Sequence, residues 1–266
     1  MKKMVVCGCS FAKGIGCKDL NTKPFGTLLS DKLDSQLINL AKGSSSNFSI
    51  YLQTKYALEK VNDIDLLIFS TTSYDRTEWF NSENKNEKPN LTNTDVNYHQ
   101  YPPHGKESYH QILPFFMEDD ENYNGSLFTE NFMGIIDYVD RFVLGDEDKI
   151  GYYERFDTES DKKMKILYDY FFNIFDTRIQ RIYDLGIFML SHTLLDTKSV
   201  RHVFLTDDIE LQNILPKQNW VDVSWSGLSQ EYPDTIPSLH TSEVGHKIVS
   251  DRIYDKLIDN NWVKND

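Results

Sequence analysis

Met4-Val5-Val6-Cys7-Gly8-Cys9-Ser10-Phe11 is a short apolar run that breaks into a glycine and a serine almost as soon as the chain begins. Two more apolar runs follow within seventy residues, Gln36 to Leu40 and the longer Ile64 to Ser70. Phe25, Leu28, Leu29 and Leu33 recur at helical spacing between the first two runs. Ile50, Thr54, Ala57, Leu58 and Val61 do the same between the second and third. Gly43-Ser44-Ser45-Ser46-Asn47 supplies the turn and the cap that start this second helix. Strand, helix, strand, helix, strand, with strands apolar along their length, predicts a parallel sheet covered on both faces.

The texture changes from Thr77 to about Ser160, where Asn, Asp, Tyr and Pro crowd together and an acidic run spans Glu118 to Glu121. Residues 77–160 are too many for a connecting loop. They read as a mixed insertion with a helix of its own from Phe128 to Leu144, lying over one end of the sheet. It serves either as a cap or as a surface for a protein partner. Beyond it, Lys162 to Tyr183 is expected to be helical, with Leu167, Phe171, Phe175, Ile179 and Ile182 on the inner face. Leu185 to Leu195 fits either more helix, the favoured reading, or a strand after Gly186; Val200 to Thr206 reads as a strand, and residues 217–236 mostly as loop. Thr241 and Ser242 can cap a last helix that turns Val244, Ile248, Val249, Ile253 and Leu257 inward. Residues 1–266 thus form one elaborated α/β domain.

A net charge of -13 repels a phosphate backbone, so nucleic acid and anionic membrane are excluded as general partners. No apolar stretch reaches 18 residues and Met1-Lys2-Lys3 opens no leader, so the expected setting is the cytoplasm. Cys7, Cys9 and Cys17 are odd in number and lack zinc spacing, and read as small buried residues of a reducing compartment. His99, His104 and His110 flank Pro102-Pro103 at spacings that fit no ligand pattern, and belong to a solvated aromatic loop. His192 and His202 are read as structural. No metal or cofactor is called for.

The chemistry comes from topology. In a parallel sheet the carboxyl ends of the strands share the rim where ligands bind. Ser10 follows the first strand, Gly43 and Ser44 the second, and Thr71, Thr72 and Ser73 the third. The loop carrying His240 reaches the same rim if the last helix runs back along the sheet. A serine hydroxyl needs a base, and imidazole titrates in the right range. The oxyanion formed on attack needs preset donors, for which the backbone N–H groups of Ser10 and Gly43 are suited.

Gly8-Cys9-Ser10-Phe11 resembles the first block of the SGNH (GDSL-like) hydrolases, with Cys in place of Asp. Asn39-Leu40-Ala41-Lys42-Gly43-Ser44-Ser45-Ser46-Asn47 resembles the second, whose glycine donates to the oxyanion hole. His240-Thr241-Ser242-Glu243-Val244-Gly245-His246 resembles the last, with the catalytic His ahead of a Gly-His pair. The likeness covers residues 1–76 and roughly 200–258. It implies a three-layer α/β/α sandwich with a flavodoxin-like parallel sheet, and a serine esterase without metal. The third block's Asn is missing from Phe69-Ser70-Thr71-Thr72-Ser73-Tyr74-Asp75-Arg76, where Thr71, Thr72 or Arg76 stands in as donor. Pro237 occupies the usual place of the triad acid, leaving Asp234 or a Ser-His dyad.

The resemblance implies an acyl-enzyme on Ser10 with His240 as base. The substrate is an ester-bearing small molecule or carbohydrate losing a small O-acyl group. The alternative is a catalytically weak or inactive module of the same fold in a virion or surface assembly. Its Asn, Lys, Ile and Tyr usage resembles that of AT-rich phage proteins.

Overall fold

Lys3–Cys7 (β1) alternates cleanly, sending Met4 and Val6 to one face of a sheet and Val5 and Cys7 to the other. All four are buried, as a strand between two helical layers requires. In the computed structural model, residues 2–19, 23–42, 45–74, 78–80, 109–111, 176–233 and 240–263 are described. Ser10–Lys13 (α1) and Phe25–Lys32 (α2) lead to Gln36–Asn39 (β2), then Asn47–Lys60 (α3) and Ile64–Ser70 (β3). Glu78–Phe80 (β4) and Tyr109–Gln111 (β5) form a separate antiparallel pair. The expected helix at 128–144 and the rest of 81–108 and 112–175 lie outside the described residues. Thr177–Thr197 (α4), Arg201–Thr206 (β6), Ile209–Ile214 (α5), Trp220–Asp222 (β7), Trp225–Glu231 (α6) and Glu243–Asp259 (α7) complete the order.

The main sheet runs β2-β1-β3-β6-β7 and every pairing in it is parallel. This is the flavodoxin-like order, in which the connections diverge between β1 and β3 and leave a crevice at their carboxyl ends. On one face Phe25 and Leu29 of α2 and Val249, Ile253 and Leu257 of α7 pack on Met4, Val6, Ile68 and Leu205. On the other, Ile50 and Ala57 of α3 and Phe188 and Leu195 of α4 pack on Val5, Leu67, Phe69 and Phe204. Three layers, α/β/α, result. Phe69, Phe188 and Phe204 meet ring to ring at centroid distances of 5.0 to 6.4 Å, the densest aromatic contact of the second face.

Three expectations change. Ile179 and Ile182 do not face the sheet: they are 53% and 68% exposed, and Asp184, Phe188, Ser191 and Leu195 point inward instead. The rotation of α4 is set by Phe188 in its aromatic nest and by Asp184, which is bonded to Asn47 of α3. Val244 is 53% exposed because Gly245 and His246 take the inner side of the first turn of α7. Gly245 lies directly on Thr241, whose Oγ1 is 1.9 Å from where a Cβ would stand. Finally, 217–236 is not mostly loop. It holds β7 and α6, and β7 went unseen because three residues show no period until β6 pairs with them.

Phe188→Ala is therefore expected to cost about 3–5 kcal/mol in a denaturant titration, whereas Ile182→Ala should stay within about 0.5 kcal/mol of the parent. Equal losses would mean that α4 faces the sheet differently.

Candidate active site

The first loop is shaped by what cannot fit. A Cβ on Gly8 would stand 2.4 Å from the Cβ of Ala12 and 3.0 Å from that of Ser70, so only glycine lets the chain turn this tightly out of β1. Cys9 is then the extended cap residue and Ser10 the first residue of α1. Within α1 the first backbone bonds run from Lys13 N–H to the Cys9 carbonyl and from Gly14 N–H to the Ser10 carbonyl. The N–H of Ser10 has no acceptor inside the helix, as a helix start dictates. Ser10 itself is 1% exposed.

The chain's other end arrives on the far side of this turn. Gly14 and Gly16 both have left-handed φ, 99° and 103°. A Cβ on Gly16 would lie 2.3 Å from the Thr241 carbonyl oxygen and 3.1 Å from the His240 Cβ. The Phe11 ring meets the imidazole of His240 at 4.7 Å and stacks on Trp225 at 5.2 Å. The loop of His240 and the turn begun by Ser10 thus meet at one corner of the sheet, through Phe11 and Gly16. His240 is buried as well. Trp225 in turn donates its Nε1–H to Ser70 Oγ at the end of β3, 3.0 Å away.

Two carboxamides from α3 organise the loops, and hydropathy reading passed over both. Gln53 accepts from Gly8 N–H at 2.8 Å and donates to the Gly8 carbonyl and to Ser45 Oγ. Asn47 accepts from Thr72 N–H at 2.9 Å and donates to the Thr72 carbonyl and to Asp184. Their one sequence signal is position: Asn47 and Gln53 share the inward stripe of Ile50, Thr54 and Ala57. Two backbone donors of the third loop, those of Thr71 and Thr72, are occupied. Thr71 gives both its N–H and its hydroxyl to the Leu205 carbonyl, and Thr72 gives its N–H to Asn47. What Thr72 retains for a ligand is its hydroxyl.

Thr72 lines a cleft of about 670 Å³ at the carboxyl ends of β3, β6 and β7. Phe11 and Trp225 form an apolar wall beside the Ser10 turn; Ser73, Asp207 and Arg181 lie on the polar side. Asp208 gathers Tyr74 and Arg181, accepting from them at 2.5 and 2.8 Å. Burial works to raise the Asp208 carboxyl, but the Tyr74, Leu211 N–H and Arg181 contacts outweigh it and hold it below the usual range. The Tyr74 phenol is pushed up by burial and by the same carboxylate. Arg181 is thus already paired with Asp208.

Gly43, Ser44, Asp75, Arg76, Asp234 and Pro237 lie outside the described residues, as do the side chains around His99, His104 and His110. Burial pushes the thiols of Cys7 and Cys17 up to about 12, so neither supplies a thiolate near neutral pH. Among the described residues no group of three His, Cys, Asp or Glu is placed to hold a metal. His192 donates to His202 across 2.8 Å, since the other nitrogen of His202 is bonded to the Val200 carbonyl. The sequence matches no protein-family model and no curated protein.

His246 underlies the corner. Its ring is fully buried, parallel to Phe25 at 6.2 Å, and its Nδ1 accepts from Phe25 N–H at 3.4 Å. Burial lowers its pKa to about 4; the Ile15 backbone offsets this in part and His240 adds to it. Burial lowers His202 too. Both imidazoles are neutral when folded and would take up a proton near pH 6.5 when unfolded. Stability is therefore full above about pH 6.5 and falls as the pH drops toward 4, by on the order of 3 kcal/mol for His246 alone. Thermal unfolding followed between about pH 7 and pH 4 should show the decline, and His246→Gln should flatten it. An equal slope in that variant would remove His246 as the cause.

Proposed function

We propose that the chain is a serine esterase of the SGNH type that removes small O-acyl groups from a carbohydrate. The observation that carries this reading is the junction of the chain's two ends. The loop of His240 rests on the turn begun by Ser10, at the carboxyl edge beside the β1/β3 divergence. In the mechanism, Ser10 Oγ attacks the ester carbonyl while His240 takes its proton. The N–H groups of Ser10 and Gly43 receive the oxyanion, and the protonated imidazole then passes its proton to the departing alcohol. Water, activated by the same imidazole, releases the acid from the acyl-enzyme. Asp234 is the candidate acid partner of His240, with a Ser-His dyad as the simpler form. The cleft beside the Ser10 turn, which neither Ser10 nor His240 lines, offers Phe11 and Trp225 on one side and Thr72, Ser73 and Asp207 on the other, a lining that suits a hydroxylated group.

Two features limit the strength of such a site. Ser10 is 1% exposed, so a carbonyl reaches it only if neighbouring loops give way. The Thr72 N–H is committed to Asn47, and one missing oxyanion donor removes about 3 kcal/mol of transition-state stabilisation. The burial of Ser10 favours the second reading, a binding module of this fold, such as a virion or surface-assembly component. Either reading is compatible with synthesis in the cytoplasm. No helix among the described residues is long and apolar enough to cross a membrane.

A fluorophosphonate probe separates the two. The esterase reading expects one adduct, on Ser10, absent in Ser10→Ala and slowed by about a thousandfold or more in His240→Ala. A folded parent protein with no adduct at Ser10 would favour the binding module.

A further inference from the structure

We propose that Gln53 is a positioning residue for the reaction at Ser10, holding the loop after β1 in register with the loop after β2. This rests on the esterase reading above. Gln53 lies in the middle of α3 and is 1% exposed, among residues otherwise chosen for packing. A buried carboxamide persists only with its bonds made, and this one has three. Its oxygen takes Gly8 N–H at 2.8 Å; its nitrogen reaches the Gly8 carbonyl at 3.3 Å and Ser45 Oγ at 3.1 Å.

The first two bonds replace a strand neighbour. β1 ends at Cys7, so the Gly8 peptide groups have left the ladder while still enclosed, and Gln53 completes one edge for them. The bond to Ser45 does something more. Ser45 Oγ donates to the Lys42 carbonyl, and Lys42 N–H donates to the Gly8 carbonyl at 3.0 Å. Gly8, Lys42, Ser45 and Gln53 therefore close a ring of hydrogen bonds that spans two loops. Ser10 sits two residues beyond Gly8, and Gly43 is the neighbour of Lys42 in sequence. The ring fixes Gly8, from whose turn the proposed Ser10 donor projects, and Lys42, the last described residue before Gly43. Such donors act only when aimed at the position of the oxyanion, and misplacement by about 1 Å costs up to a hundredfold in rate. Gln53 touches no substrate in this account. It acts through Gly8 and Ser45.

The experiment compares Gln53→Met and Gln53→Glu with the parent. The readouts are the rate of fluorophosphonate labelling at Ser10, p-nitrophenyl acetate kinetics and thermal unfolding. Gln53→Met keeps the length and removes all three bonds. Labelling and kcat are expected to fall about 10- to 100-fold, with KM within about twofold. Gln53→Glu lacks a donor when ionised and regains one when protonated, and its burial raises the pH at which that happens. Its labelling rate relative to the parent should therefore rise as the pH is lowered.

Labelling of Gln53→Met at the parent's rate would overturn the role of Gln53 and leave the esterase reading standing. Should Gln53→Met not fold, the Gln53→Glu ratio decides, and a ratio flat with pH overturns the proposal. Absence of an adduct at Ser10 in the folded parent overturns both.

Discussion

The Thr241 carbonyl oxygen occupies the space where a side chain on residue 16 would begin, 2.3 Å from an ideal Cβ. That contact joins the beginning of the chain to its end, and much of the carboxyl edge depends on it. It exists because Gly16 tolerates φ of 103° and adds no atoms. The loop at 240–242 is also held from behind. Thr241 Oγ1 contacts the Leu228 and Tyr232 carbonyls at 3.1 Å, and Ser242 N–H donates to the Tyr232 carbonyl at 2.7 Å. His240 is thus clamped between the turn after β1 and the end of α6. Backbone fit between Gly16 and Thr241 holds it there.

The rest of the rim is tied by side chains from α3. Packing of Ile50 and Ala57 against Val5, Leu67 and Phe69 fixes the helix on the sheet, through nondirectional burial. The carboxamides at its inner edge then convert that placement into loop geometry. Gln53 reaches the first and second loops, and Asn47 reaches the third loop and α4. Fully satisfied buried polar groups of this kind specify one arrangement where apolar packing alone would accept several. One consequence is that the third loop uses its backbone donors internally. A second is that Tyr74 and Arg181, on either side of residues 75–175, converge on Asp208 at the cleft.

Most of the fold was legible because its first seventy residues announce each element twice, by periodicity and by punctuation. β1 and β3 carry unbroken apolar stretches, Met4 to Cys7 and Leu66 to Phe69, and each ends beside glycine or small polar residues, and Ser46 caps α3 by accepting from Ser49 N–H. The later part was less plain. Ile179 and Ile182 continue a stripe that begins upstream, so the pattern pointed to a face that α4 does not turn toward the sheet. A three-residue strand such as β7 carries no pattern of its own. The closing of the 240–241 loop on the turn after β1 was legible from topology, because a parallel sheet gathers its loop residues at one edge. Gln53 and Asn47 were not. A polar residue inside an amphipathic helix reads as surface, and only the sheet beneath it reveals that its partners are loop backbones.

The central claim, that the opening turn and the closing loop meet, is tested most directly by a double-mutant cycle between Phe11 and His240. Stability would be measured for Phe11→Leu, His240→Ala, the pair and the parent. Rings 4.7 Å apart predict a coupling of about 1 kcal/mol. Losses that add to within about 0.3 kcal/mol would show that the two ends do not touch, and would contradict the site built on them.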